Sequence, residues 1–221
     1  PGESALAHNG VLLIDELPEC KRTVLEVMRQ PMEDRKVTIS RAKVALDFPA
    51  SFMLIASMNP CPCGFFNHPD KECTCGPGVV QKYLGKISGP LLDRIDLHVE
   101  VTPVPFGEIS SAKEFEKSEA IRSRVIKARE IQSERYAQHE GVYANSQMTS
   151  KMLKEICEIS TAGQTLLKTA MERLNLSARA YDRILKVSRT IADLAGKPNI
   201  LPEHLAEAIQ YRSLDREGWG A

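Results

Sequence analysis

Apolar residues come in short continuous or alternating runs up to about residue 105, and at helical spacing thereafter. Four consecutive apolar residues, Val11-Leu12-Leu13-Ile14, lie between Gly10 and Asp15-Glu16. They predict a buried parallel strand delivering two carboxylates to its C-terminal edge. The run Ser51-Phe52-Met53-Leu54-Ile55-Ala56-Ser57-Met58-Asn59 predicts a neighbouring strand that ends on an amide. Between them, Val24, Leu25, Val27 and Met28 recur at helical spacing, and Pro31 is expected to stop that helix. Val37 and Ile39, then Val44, Leu46 and Phe48, alternate with polar neighbours around Ser40-Arg41-Ala42-Lys43, which predicts a hairpin over 36–48. Residues 78–88 read as helical, and the alternation Ile95-Asp96-Leu97-His98-Val99-Glu100-Val101 reads as a further strand.

Thr102-Pro103-Val104-Pro105-Phe106-Gly107 has the composition of a linker. Beyond it a long charged helix is expected from about Lys113 to His139, with an apolar stripe of Ile121, Val125, Ala128 and Ile131. Further helices are expected near 150–160, 162–175 and 177–195. Ser177 is a natural N-cap, Gly196 a natural residue after a helix end, and Pro202 suits the first turn of a last helix. These patterns divide the chain into an α/β part, residues 1–104, and an all-helical part, residues 105–221.

The chain has 221 residues, with 29 basic and 29 acidic side chains, so no global charge draws it to nucleic acid or an acidic surface. No stretch is apolar enough for a membrane span. Six cysteines are present, and four of them cluster as Cys61-x-Cys63-x9-Cys73-x-Cys75. Nothing suggests secretion, so a reducing cytoplasmic setting is expected, with the cluster as metal ligands rather than disulfides. The sequence opens on Pro1 without a Met or a leader, which reads as a piece of a longer protein.

Paired carboxylates at a strand end, opposite an amide at the next strand end, suit a nucleoside-triphosphate motor. There the first carboxylate holds Mg²⁺ through water, the second polarises the attacking water, and the amide bonds that water or the γ-phosphate. The expected partner, a G-x-x-x-x-G-K-[ST] phosphate loop, does not occur in these residues.

Four ordered segments carry a closer likeness: Ala7-His8-Asn9-Gly10-Val11-Leu12-Leu13-Ile14-Asp15-Glu16-Leu17-Pro18-Glu19, Met58-Asn59-Pro60-Cys61-Pro62-Cys63-Gly64, Ser88-Gly89-Pro90-Leu91-Leu92-Asp93-Arg94-Ile95-Asp96, and Leu176-Ser177-Ala178-Arg179-Ala180-Tyr181-Asp182-Arg183. The chain resembles the C-terminal part of magnesium-chelatase-like AAA+ ATPases, in their ComM/YifB branch. The resemblance implies a partial AAA+ parallel-sheet core followed by a helical lid, and a parent protein that hydrolyses ATP·Mg²⁺ in a ring, as a hexamer. It implies Asp15 and Glu16 as the Walker B pair and Asn59 as sensor 1. Arg94 would be the arginine finger reaching a neighbouring subunit's ATP, where a planar guanidinium stabilises charge on the transferring phosphoryl group. The plainer reading of Arg94 is an ion pair with Asp93 or Asp96. Arg179 would be sensor 2, preferred over Arg183 one turn later, while Ser177 is taken as a helix cap.

Zinc takes four tetrahedral thiolate or imidazole ligands, and the tight C-x-C pairs depart from the usual C-x-x-C spacing. His68 and Asp70 in the intervening loop are candidate substitutes, and free thiols in a loop are the alternative. Any zinc would be structural, since no general base stands nearby in sequence. Arg35, Lys36, Arg41 and Lys43 on the hairpin are candidates for contact with a DNA backbone in a ring pore, although interleaved aromatics are missing and a charged hairpin tip is commonly just solvated. The expected work is remodelling or translocating DNA. The runners-up are a chelatase-type motor that drives metal insertion into a tetrapyrrole, and a non-catalytic zinc-stabilised binding module.

Overall fold

A computed structural model describes residues 2–41, 44–104 and 115–212. The chain forms two compact units that meet in sequence at Ile95 and Asp96. The first is α/β. Its strand β1 (Val11–Ile14) pairs in parallel with β4 (Met53–Ala56), Val11 opposite Met53 and Ile14 opposite Ala56. A short helix α1 (Glu3–Leu6) precedes β1, and α2 (Arg22–Asp34) follows it. The hairpin of β2 (Lys36–Arg41) and β3 (Val44–Pro49) is antiparallel, with Lys36 opposite Pro49 and Arg41 opposite Val44. Two short helices, α3 (Val79–Leu84) and α4 (Gly89–Leu92), complete the unit. Leu17, Leu25, Met28, Tyr83, Leu84, Leu91 and Leu92 are buried in it.

Two expectations about this unit are corrected. The β1–β4 pair is not buried on both faces: Val11, Leu13, Met53 and Ile55 are exposed while Leu12, Ile14 and Leu54 are half-buried. Two paired strands with one covered face alternate in burial, as a one-sided sheet does. Pro31 does not stop α2, which continues to Asp34. The proline's fixed φ suits a helix and only one amide bond is lost, and here its ring is buried beside Leu25 and Met28 on the helix's inner face. The terminus falls instead at Arg35, whose backbone is left-handed (φ 55°) and whose N–H donates to the Pro31 carbonyl at 3.0 Å.

Residues 95–101 form no strand, because no partner strand lies beside them among the described residues. Within the second unit this segment is tied by the His98 N–H, which donates to the Tyr211 carbonyl at 2.8 Å. Of the expected linker, Thr102, Pro103 and Val104 have no regular structure. Pro105, Phe106, Gly107 and the expected helix start at Lys113 lie outside the described residues.

The second unit is helical: α5 (Ser118–Arg135), α6 (Ser150–Ile156), α7 (Thr161–Arg173), α8 (Ala178–Leu194) and α9 (Pro202–Gln210). Thr149, Ser160 and Ser177 cap α6, α7 and α8 through side-chain oxygens that accept backbone N–H bonds. At the far end of α8, Gly196 (φ 63°) allows the reversal in which Lys197 donates to the Ala192 carbonyl and Gly196 to that of Asp193. Gly163 brings α7 close to α9, since a Cβ there would stand 2.8 Å from a Leu205 methyl carbon. The core gathers Tyr136, Met152, Leu153, Leu167, Ile184, Leu185 and Leu205. On α5 only part of the expected stripe is covered: Ala128 is buried, whereas Ile121 and Val125 are exposed.

A buried polar network crosses this unit. Asp193, on α8, accepts both arms of the Arg135 guanidinium and the Asn145 amide (2.8 Å), and pairs with Arg189. Asn145 also accepts from the Tyr136 hydroxyl at 2.7 Å, and burial pushes that hydroxyl's pKa up to about 12. Arg189 donates on to the Pro198 and Lys197 carbonyls. With every charge paired and bonded, the network fixes how α5 and α8 meet.

Candidate active site

The C-terminal ends of β1 and β4 lie side by side because the strands are parallel and in register. Ser57 N–H donates to the Ile14 carbonyl and Leu17 N–H to the Ser57 carbonyl, both at 2.9 Å. Asp15, Glu16 and Asn59 are thereby brought to one edge, all three exposed. Asp15 Oδ1 accepts from the Glu16 N–H at 3.1 Å and from the Ser57 hydroxyl. These bonds orient the carboxylate and engage one of its two oxygens.

Glu16 itself has a left-handed backbone, φ 53° and ψ 53°, as the chain leaves β1 for a 3₁₀ turn over Leu17–Glu19. Three of the other non-glycine residues at positive φ are Asn, which tolerates it; Glu gains no such relief. A conformation of this kind costs on the order of 1–3 kcal/mol and gathers at functional sites. Here it ends the alternation of the strand immediately after Asp15, so the two carboxylates leave the backbone at different angles from those a continued strand would give.

Two residues at this edge escape sequence reasoning. Ser57 stands two positions before Asn59, and the period-two parity of a strand would have paired them. Tyr83, on α3, is buried beside the edge, near the Glu19 and Glu16 carboxylates. Burial raises its hydroxyl pKa, with the Glu19 and Glu16 carboxylates adding to the effect. No local sequence signal marks it.

Arg94 is buried in the same unit. Its guanidinium lies 2.7 Å from the Glu33 carboxylate, near the end of α2, and donates to the Pro90 carbonyl at 2.6 Å. Neither anticipated partner, Asp93 or Asp96, holds it: Asp96 pairs with Arg183 in the helical unit. Arg179 is exposed on the first turn of α8, a turn that contains no acidic residue.

Two of the four hairpin cations stand away from the turn. Arg35 and Lys36 sit at the base, six residues from the turn, or roughly 20 Å along an extended strand. Lys36 is also neutralised by Asp47 across the hairpin at 2.7 Å, and Thr38 donates to the same carboxylate. Only Arg41 ends β2 next to the turn, and Lys43 lies outside the described residues.

The cysteine pairs, in contrast, converge. The sulfurs of Cys61, Cys63, Cys73 and Cys75 all lie within 4.8 Å of one another. His68 and Asp70 do not join them; the His68 Nδ1 accepts the Asp70 N–H at 3.0 Å within the intervening loop.

Comparison with known proteins fits this geometry. Residues 1–109 match the family described as magnesium chelatase, subunit ChlI, and residues 115–212 match its C-terminal domain. The chain belongs to the magnesium-chelatase-like family. It is 44% identical over 98% of its length to the competence protein ComM of Haemophilus influenzae, and 39% identical to the uncharacterized protein YifB of Escherichia coli. Identity to the chloroplastic magnesium-chelatase subunit ChlI of Nicotiana tabacum is 23%, which sets the chain with ComM and YifB. It spans 41% of the length of ComM and 42% of that of YifB. Among the described residues, no helix is long and apolar enough to cross a membrane.

Proposed function

We propose that this chain is the Walker B, sensor and lid portion of an AAA+ ATPase motor that assembles as a homo-oligomeric ring, a hexamer, in the cytoplasm and acts on DNA. The observation that carries the reading is the shared edge of β1 and β4, where an oriented Asp15, a strained Glu16 and Asn59 meet.

Bound ATP·Mg²⁺ supplies the phosphoryl group and the charge that the edge acts upon. The residues fit that load: Asp15 is exposed and held by two donors on one oxygen, which leaves the other oxygen for a metal-bound water. Glu16 takes the role of polarising the attacking water, which a freely exposed carboxylate can do without a desolvation penalty. Asn59 contributes an amide that bonds the same water or the γ-phosphate.

Arg94 acts as the finger towards a neighbouring subunit, which requires it to exchange Glu33 for phosphate oxygens. Glu33 is 40% exposed, so this exchange strands no sealed charge on the carboxylate side. Arg179 is the sensor 2 residue. A cation on the first turn of a helix opposes the helix dipole, and an anionic ligand relieves that conflict. Arg183 is the weaker candidate because Asp96 engages it. DNA contact falls to Arg41, which ends β2, and to Lys43, two positions later in the sequence, while Arg35 and Lys36 serve the hairpin's base.

The test is ATP turnover by the full-length protein with and without DNA. Turnover stimulated by DNA supports the whole reading. Turnover indifferent to DNA keeps the motor and removes the DNA substrate, and no turnover under any condition removes the ATPase.

A further inference from the structure

The loop that leaves Asn59 returns on itself so that two C-x-C pairs face each other. Sulfur-to-sulfur distances are 3.3 Å for Cys61–Cys63, 3.7 Å for Cys61–Cys73 and 3.5 Å for Cys63–Cys73, with Cys75 inside the same 4.8 Å group. A tetrahedral zinc tetrathiolate, with Zn–S bonds of about 2.3 Å, holds its sulfurs about 3.8 Å apart. The four sulfurs therefore already stand as close together as the ligands of one ion must. Cys61 is buried and the other three are half-buried.

The backbone is shaped to the same end. Gly64 has φ 80° and its N–H donates to the Cys61 carbonyl at 3.0 Å, which turns the chain immediately after the first pair. The Phe66 N–H donates to Cys61 Sγ at 3.3 Å, the kind of bond that orients a thiolate ligand and offsets its charge. Phe65 and Phe66, both half-buried, are the loop's only large apolar side chains, and four thiols in van der Waals contact gain nothing comparable without an ion.

We propose that Cys61, Cys63, Cys73 and Cys75 bind one zinc ion in a closed tetrathiolate site that staples the loop following Asn59. Binding converts four thiols to thiolates and releases four protons, giving a site of net charge −2. Four protein sulfurs complete the coordination, so no position is open to water or substrate and the ion is structural. Only Pro60 separates Asn59 from the first ligand, so the ion anchors the segment that leaves the β4 edge. This assignment is independent of the ATPase reading.

The experiment is elemental analysis of the 221-residue chain purified without added metal, together with X-ray absorption at the zinc edge. About one zinc per chain, surrounded by four sulfurs at about 2.3 Å, is the expected result. The double variant Cys73→Ser/Cys75→Ser should lose that zinc while the helical unit keeps its circular dichroism. Should the variant fail to fold, cobalt loaded into the unaltered chain gives the intense thiolate charge-transfer bands of a tetrahedral tetrathiolate. Stripping the zinc with a chelator should speed amide exchange across residues 58–76 and leave 118–210 unchanged. Zinc near zero with all four thiols titratable, a disulfide within the cluster, or one iron per chain in place of zinc would each overturn the assignment.

Discussion

Arg94 and Glu33 form an ion pair inside one unit, the guanidinium buried and the carboxylate partly open to solvent. The pair joins the Leu-Leu-Asp-Arg segment to the end of α2 and sets the resting position of the proposed finger. Arg94→Ala is expected to lower ATP turnover of the full-length ring by about 10³–10⁵, the range for loss of a finger. Mixing this variant with Glu16→Gln subunits should restore some turnover, because mixed rings contain interfaces with an intact Glu16 and an intact Arg94. Mixed rings as inactive as either parent, with assembly confirmed by light scattering, would leave Arg94 as a structural partner of Glu33.

The Asp193 network makes a separate prediction about stability. Asp193→Ala strands the buried Arg189 and frees one side of Arg135 and Asn145. Removing one partner of a buried pair typically costs about 3–5 kcal/mol. Urea unfolding followed by helical circular dichroism should show a loss in that range, and a loss under about 1 kcal/mol would mean that water replaces the carboxylate.

Charge at the hairpin turn is predicted to matter where charge at its base does not. Arg41→Gln with Lys43→Gln in the full-length protein should weaken DNA binding and flatten its salt dependence, by about 0.9 in the log–log slope for each phosphate no longer neutralised. Lys36→Gln should leave the slope unchanged, since Asp47 already holds that ammonium. Equal slopes for the unaltered protein and both variants would exclude the hairpin from DNA binding.

The 221 residues by themselves are expected neither to bind ATP tightly nor to hydrolyse it. The edge residues stabilise charge on a nucleotide, whereas grip on the phosphates comes from a glycine-rich loop and its lysine, a motif this sequence does not contain. Calorimetry that detects micromolar ATP binding to this chain would refute the expectation.

Much of this fold was legible in the sequence where the controlling physics is local. The apolar run from Val11 to Ile14 located β1, the alternation around Ser40–Lys43 located the hairpin, and Ser177 and Gly196 marked both ends of α8. What stayed hidden depends on residues far apart in the chain. Nothing near Arg94 announces Glu33, and Asp193, Arg189 and Asn145 look like any solvated helix face until three elements bury them together. The alternation of residues 95–101 describes a strand that finds no partner among the described residues, and Pro31 shows that one missing amide bond is tolerated where the ring is buried. At the candidate site, the convergence of Asp15, Glu16 and Asn59 followed from strand parity and order. The left-handed Glu16 and the buried Tyr83 emerge only in the folded chain.

Turnover by full-length Glu16→Gln, measured beside its ATP affinity, tests the central claim most directly. The amide keeps the shape of the side chain but does not polarise water as a carboxylate does. Abolished hydrolysis with ATP still bound is the predicted result; near-normal hydrolysis would show that the edge formed by β1 and β4 is not where ATP is cleaved.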